Sequence, residues 1–287
     1  MKKLLVVIKM ITVLMIHNIF SQTPPDFQTP PVHFEINSKF VEEANYLIEI
    51  MLPANYDSTQ RYPIVYCVDN WLGANFVPAL LYLLNFSQAT DPFIVAGIGN
   101  HGTMDDWVKE RTRDLTPYHL AEYDVSSSHE MGKSGVTGGA NNFLLFIKNE
   151  LIPFVENQYL ADTLNRGFMG YSYGGLFGVY TLTLFPDLFQ KYFFGSPSVW
   201  YNDYALIDSL CTFSPDNFSN IRGIYITVGE NENGNQLKAF SDLRDCLQQK
   251  NIPTLNLTSH IIPGEDHRTA ILSAYLKAFK CLYSKKL

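Results

Sequence analysis

From Arg61 onward the chain alternates short apolar runs with longer stretches whose apolar residues recur at helical spacing. Residues 62–68, 93–98, 168–169, 192–195, 224–228 and 254–262 read as strands, and 76–86, 142–159, 174–185, 236–250 and 269–283 as helices. The run Tyr62-Pro63-Ile64-Val65-Tyr66-Cys67-Val68 is apolar almost throughout, not at every second position. That pattern marks a strand covered on both faces. Neighbouring parallel strands can be joined only by a crossover, so this alternation predicts a mostly parallel central sheet with helices on both faces, an α/β fold. Two further strands, 32–41 and 45–52, precede it, and Pro153 is expected to kink the 142–159 helix. Residues 100–125 read as irregular, and 126–139, rich in Ser and Gly, as a loop. No internal repeat or second domain is evident, so residues 32–287 read as one domain.

The composition narrows the function classes. Of the 287 residues 46% are apolar and 17% charged, enough to build a sizeable core. A net charge of -7, without a basic cluster in the body of the chain, argues against nucleic acid as a partner. At its start, Lys2 and Lys3 precede an apolar run over residues 4–20, and small Ser21 precedes Gln22. This has the form of a cleaved export signal over residues 1–21, followed by a Pro-rich linker at 22–31. The expected product is exported, periplasmic or secreted, and not stably inserted in a membrane. Export permits disulfides; Cys211 with Cys246 is one pairing, and Cys67 reads as a buried thiol. No C-x-x-C or H-E-x-x-H pattern calls for a metal, and no cofactor is expected.

Chemistry concentrates around Gly170-Tyr171-Ser172-Tyr173-Gly174, at the junction of a strand and a helix. G-x-S-x-G at such a junction is the nucleophile elbow of α/β hydrolases, a strained turn that exposes the Ser hydroxyl. The pattern is short enough to recur by chance, so the remaining groups decide. A Ser hydroxyl needs a His to accept its proton and an acid to orient that His. The chain supplies them in the order Ser172, then Glu230 or Glu232 after the strand at 224–228, then His267 after the last strand. His101 and His119 read as surface residues and His260 as structural. Asp266 is too close to His267 in sequence to orient it well. Asp69 reads as a turn former. The oxyanion hole needs two backbone N–H groups, one from Tyr173 and one from Asn70 or Trp71. Trp107, Arg111, Trp200 and Tyr201 are candidate pocket walls.

Many blocks in one order carry a resemblance. They include Tyr66-Cys67-Val68-Asp69-Asn70, Val95-Ala96-Gly97-Ile98-Gly99-Asn100 and Arg111-Thr112-Arg113-Asp114-Leu115-Thr116-Pro117. Gly167-Phe168-Met169-Gly170-Tyr171-Ser172-Tyr173-Gly174-Gly175, Ser196-Pro197-Ser198-Val199-Trp200 and Pro263-Gly264-Glu265-Asp266-His267 continue it. The chain resembles the esterases of the α/β-hydrolase fold that include enterochelin esterase-like and esterase D-like members. The resemblance implies carboxylic-ester hydrolysis through an acyl-serine, with Ser172 as nucleophile and His267 as base. The family's G-x-x-E loop fits Gly229-Glu230-Asn231-Glu232 and favours Glu232 as the acid. The chain departs from the family pattern with Tyr171 where His is common and Asn70 where Gly is common. The expected partner is a small-molecule or carbohydrate-linked ester: a siderophore ester, for which Arg111 and Arg113 offer positive charge, or a feruloyl or acetyl carbohydrate ester. An acyltransferase with the same nucleophile and a non-catalytic binding protein on the same scaffold are the alternatives.

Overall fold

The computed structural model describes residues 30–124 and 136–285. The expected export signal, nearly all of the linker and positions 126–135 of the Ser/Gly-rich stretch lie outside the described residues. Among the described residues eight strands form one sheet: β1 (Val32–Asn37), β2 (Asn45–Met51), β3 (Tyr62–Cys67), β4 (Ile94–Asn100), β5 (Ala161–Tyr171), β6 (Lys191–Gly195), β7 (Gly223–Gly229) and β8 (Asn256–Ile262). Their spatial order is β1-β2-β4-β3-β5-β6-β7-β8. β2 runs antiparallel to both of its neighbours, and every pairing from β4 across to β8 is parallel. The fold is that of an α/β hydrolase.

The helices are α1 (Asn70–Gly73), α2 (Val77–Ser87), α3 (Met104–Leu115), α4 (Ala121–Asp124), α5 (Ala140–Phe146), α6 (Ile152–Gln158), α7 (Tyr173–Leu184), α8 (Ala205–Thr212), α9 (Gly234–Gln249) and α10 (Ile271–Tyr283). The sheet has two dry faces because the strands alternate into both. Ile64, Tyr66, Val68 and Phe168 join the larger core under α5 to α9. Val65, Cys67 and Met169 join a second core under α2 and α10. Most of the chain's aromatic residues lie in these layers, with Phe168, Phe177, Phe189, Phe193 and Phe194 fully buried.

Four sequence expectations change. The stretch after β4 is not irregular: α3 occupies it, started by a capping box in which Thr103 and Asp106 satisfy each other's backbone N–H groups. β5 is eleven residues long, not the two apolar ones. Its first half is mostly polar and only Ala161 there is buried, with its other apolar residue, Leu164, facing solvent, so it carries no continuous hydrophobic signal. α8 was not expected, and it follows three residues, Asn202 to Tyr204, with left-handed backbone. At Pro153 the helix continues from α5 to α6 through a π-turn at Ile147–Leu151. Proline has no N–H to give the i→i−4 ladder, and the wider turn before it takes up the misfit.

A disulfide joins Cys211 of α8 to Cys246 of α9 across 35 positions, while Cys67 and Cys281 are free thiols. Closing a loop of that length restricts the unfolded chain by about 2–4 kcal/mol. Denatured but unreduced protein should therefore titrate two thiols. Cys246→Ser should lower the melting temperature by roughly 5–15 °C. Four titratable thiols, or an unchanged melt in reductant, would contradict the crosslink.

Candidate active site

The candidate nucleophile, acids and base all follow the carboxyl ends of parallel strands. β3 ends before Asp69, β5 before Ser172, β7 before Glu230 and Glu232, and β8 before His267. β3 pairs with β5, and β6, β7 and β8 follow in order, so residues distant in sequence converge at one edge.

At the elbow Ser172 has φ 58° and ψ −117°, between the last residue of β5 and the first of α7. An L-residue adopts that conformation only when its surroundings impose it. Here the surroundings are glycines: a Cβ on Gly170 would lie 2.2 Å from the Gly174 carbonyl oxygen. Strand end and helix start touch backbone to backbone. The Ser172 N–H donates to the Gly195 carbonyl at 2.8 Å, which ties the elbow to β6.

His267 Nε2 lies 3.0 Å from Ser172 Oγ, and its Nδ1 lies 2.6 Å from Glu232 Oε2. A carboxylate only accepts, so Nδ1 carries the proton and Nε2 presents its lone pair to the Ser hydroxyl. The Glu232 side chain is only 1% exposed. Its other oxygen accepts from the Gly229 N–H at 2.8 Å and from the Ser196 hydroxyl. These bonds allow the charge to be buried, since an unpaired buried carboxylate would be costly. Glu230 is placed differently. It faces solvent and its carboxylate accepts from the Gly264 N–H at 2.8 Å, stapling the β7 loop to the β8 loop. Asp266 accepts from the N–H groups of Arg268 and Thr269 and so shapes the turn that carries His267.

Two hydroxyls complete the support, and one was not anticipated. Tyr171 donates to the His267 carbonyl at 2.9 Å, and its ring centroid is 5.3 Å from that of His267. The hydroxyl oxygens of Tyr171 and Ser196 lie 3.0 Å apart. The departure at Tyr171 is thus built into the base loop. Ser196, which sequence reasoning did not single out, is fully buried and bonds to the acid. The S-P-S motif was the only signal available for it. Ser198, from the same motif, lies 3.4 Å from Ser172 Oγ.

Tyr173 and Asn70 are the first residues of α7 and α1, where helices leave backbone N–H groups without intrahelical partners. The left-handed conformation at this turn belongs to Asp69, at φ 60°, and not to Asn70. Asn at position 70 therefore meets no backbone demand for glycine. Its side chain points away from Ser172, donating to buried Glu49, which also lies 2.8 Å from His33. Trp71 is the second residue of α1, one position beyond Asn70.

The aromatic and basic candidates separate. Trp107 is buried, with its Nε1 donating to Asp69 at 3.1 Å. Arg111 forms a two-pronged ion pair with Asp69. Trp200 is half-buried and donates to Gln236. Tyr201 is fully buried and donates to the Tyr118 carbonyl, an interior position and not a cleft wall. Arg113 is held by Asp114, which also accepts from buried Tyr46, and lies outside this cluster. Among the described residues no group of three His, Cys, Asp or Glu side chains is arranged to hold a metal ion.

Comparison with known proteins adds an independent line. A family model described as "Putative esterase" matches residues 42–270. The ferri-bacillibactin esterase BesA of Bacillus subtilis is 27% identical over 229 residues, covering 78% of each chain. An apo-salmochelin esterase of Escherichia coli is 30% identical over 174 residues, 61% of this chain and 53% of that one. The crystal structure of the BES protein from Bacillus cereus superimposes with TM-score 0.76 at 25% identity, covering 90% of this chain and 97% of that one.

The elbow contact makes a paired prediction. Gly170→Ala puts a methyl group against a main-chain oxygen and should destabilise by about 3 kcal/mol or more, a fall in melting temperature of at least roughly 6 °C. A Cβ on Gly234, at the start of α9, meets nothing within 4 Å. Gly234→Ala should leave the melt unchanged or raise it slightly. Equal melts for the two variants would contradict the close approach.

Proposed function

The chain belongs to this esterase family and is a carboxylic ester hydrolase, and from that premise we propose that Ser172 is its nucleophile and a siderophore ester its substrate. The observation that carries the mechanism is the unbroken relay from Ser172 Oγ to His267 at 3.0 Å and from His267 to Glu232 at 2.6 Å.

In the first step His267 Nε2 takes the Ser172 proton as Oγ bonds to the ester carbonyl carbon. Negative charge develops on the carbonyl oxygen, held by the N–H of Tyr173 and that of Asn70 or Trp71. Glu232 stabilises the imidazolium without taking its proton. The intermediate collapses as the imidazolium protonates the leaving oxygen, and the alcohol departs from an acyl-serine. Water then attacks the acyl carbon with His267 again accepting a proton, and that proton returns to Ser172 as the acid leaves.

The siderophore reading draws on relatives named for bacillibactin and salmochelin esters. It is favoured over a feruloyl or acetyl carbohydrate ester on that ground. Export is part of the proposal too. The Lys2–Lys3 start, the apolar run after it and the Cys211–Cys246 disulfide all suit an oxidising compartment. N-terminal sequencing of the protein from its native cell, with fractionation, tests it: a chain starting at Met1 in the cytosol would refute export.

A fluorophosphonate probe should label the wild type at Ser172 and fail to label Ser172→Ala. Glu232→Gln should fold normally and lose about 10²- to 10⁴-fold in kcat, because the imidazole would then take the wrong tautomer. Glu230→Gln should stay close to wild type. On a substrate panel, a catecholate trilactone should exceed feruloyl sugar esters in kcat/KM by about tenfold or more. The reverse order would remove the siderophore assignment while leaving the esterase. Acyl products on added sugar or alcohol acceptors would point to the transferase instead.

A further inference from the structure

The loop Ser196-Pro197-Ser198 that follows β6 brings two hydroxyls to the relay. That of Ser196 meets the acid. That of Ser198 lies 3.4 Å from Ser172 Oγ, in a residue only 2% exposed. A buried serine hydroxyl ordinarily bonds to a nearby backbone group. This one does not: among the described residues its one partner is the nucleophile.

The relay decides which oxygen donates. His267 Nδ1 donates to Glu232, so Nε2 is an acceptor and takes the Ser172 hydrogen. The hydrogen between the two serines therefore belongs to Ser198. The backbone holds this donor in place. The Ser198 N–H donates to the Ser172 carbonyl at 3.2 Å, and the Ser198 carbonyl accepts from the Tyr201 N–H at 3.0 Å. Buried Gln236 donates to the Pro197 carbonyl at 2.8 Å. A Cβ on Gly175 would lie 2.9 Å from Pro197 Cα, so the loop rests directly on the first turn of α7. At 3.4 Å the contact is long for a resting O–H···O bond and can shorten as charge develops on the acceptor.

The value of such a donor differs between the two halves of the reaction. Before acylation Ser172 Oγ is a hydroxyl oxygen, already a good acceptor, so the bond stabilises ground state and transition state alike. In the acyl-serine Oγ is an ester oxygen, whose lone pair is drawn into the carbonyl and accepts poorly. When the tetrahedral intermediate of deacylation collapses, the C–Oγ bond breaks, its electron pair passes to Oγ, and the imidazolium of His267 delivers a proton there. Ser198 keeps its own proton and donates a hydrogen bond to the departing oxygen. Only a bond that strengthens between ground state and transition state accelerates a step. We propose that Ser198 is a catalytic residue of deacylation, its hydroxyl assisting the departure of Ser172 Oγ from the acyl carbon. The inference rests on the acyl-serine reading above.

The test is Ser198→Ala, which leaves Ser172 its bond to His267 and orphans no other side chain. Acylation is read from the pre-steady-state release of p-nitrophenol from p-nitrophenyl acetate. Deacylation is read by intact mass, as loss of the acetyl group from quenched protein, with both rates divided by fluorophosphonate-titrated sites. Deacylation should slow by about 10- to 100-fold and acylation by less than about threefold. Where deacylation limits turnover, KM should then fall with kcat and leave kcat/KM nearly unchanged. Ser196→Ala, which weakens the support of the acid, should instead slow both steps. Equal slowing of both steps in Ser198→Ala would overturn the inference, as would fewer titratable sites with normal rates per site, the mark of a structural role. Unchanged deacylation in a wild-type background that labels and turns over removes this inference alone. An inactive, unlabelled wild type removes the acyl-serine reading with it.

Discussion

The site depends first on the contact between Gly170 and Gly174. Strand β5 must end and helix α7 begin within one residue for Ser172 to stand proud of the sheet. That is feasible only where two main chains can pass without an intervening Cβ, since a methyl group on Gly170 would overlap the Gly174 carbonyl. The strain at Ser172 is paid back by the packing around it. Leu176, Phe177 and Val179 of α7 are fully buried, as are Phe168 and Met169 of β5. Each such side chain contributes about 1.5–3 kcal/mol on burial, against about 1–3 kcal/mol for a strained residue. The hydrophobic layers therefore hold the exposed hydroxyl where its backbone alone would not go.

Burying Glu232 is the second condition, and it links three loops. A carboxylate removed from water needs protein donors in place of those that solvent supplied. The Gly229 N–H comes from its own loop, the Ser196 hydroxyl from the β6 loop and the Nδ1–H from the His267 loop. Close approach again matters, since a Cβ on Gly229 would lie 2.5 Å from the Glu265 carbonyl oxygen. The acid thus orients the base and also fixes the relative positions of the loops. Tyr171 closes the circuit by bonding to the His267 carbonyl from the strand that carries Ser172.

What could be read from the sequence follows from this physics. Strands buried on both faces announce themselves as unbroken apolar runs, so β3, β4, β6 and β7 were legible, as was a mostly parallel sheet, though not the order of its strands. Ser172 and His267 were legible because their positions follow from topology. Helix α3 was not, because its buried face includes Thr112, Asp114 and Arg111, whose burial depends on partners distant in sequence. For the same reason Arg111 read as a pocket wall: a sequence displays a charge but not the carboxylate that neutralises it. Glu230 and Glu232 were separable only by the family's G-x-x-E spacing. The physical difference, one carboxylate inside and one in water, exists only once β7 and β8 lie side by side.

The Asp69–Arg111 pair illustrates why such charges persist near a site that has no need of them for stability. A buried ion pair gains little over well-packed apolar residues, because desolvation offsets most of the attraction. An apolar pair in its place would fill the same volume but would leave the left-handed backbone at position 69 without directional bonds to hold it. Directional hydrogen bonds resist that movement in a way that dispersion contacts do not. Oxyanion stabilisation depends on donors already aimed at the position where charge will appear. The free energy spent in desolvating Arg111 and Asp69 is retained as directional geometry at the turn after β3.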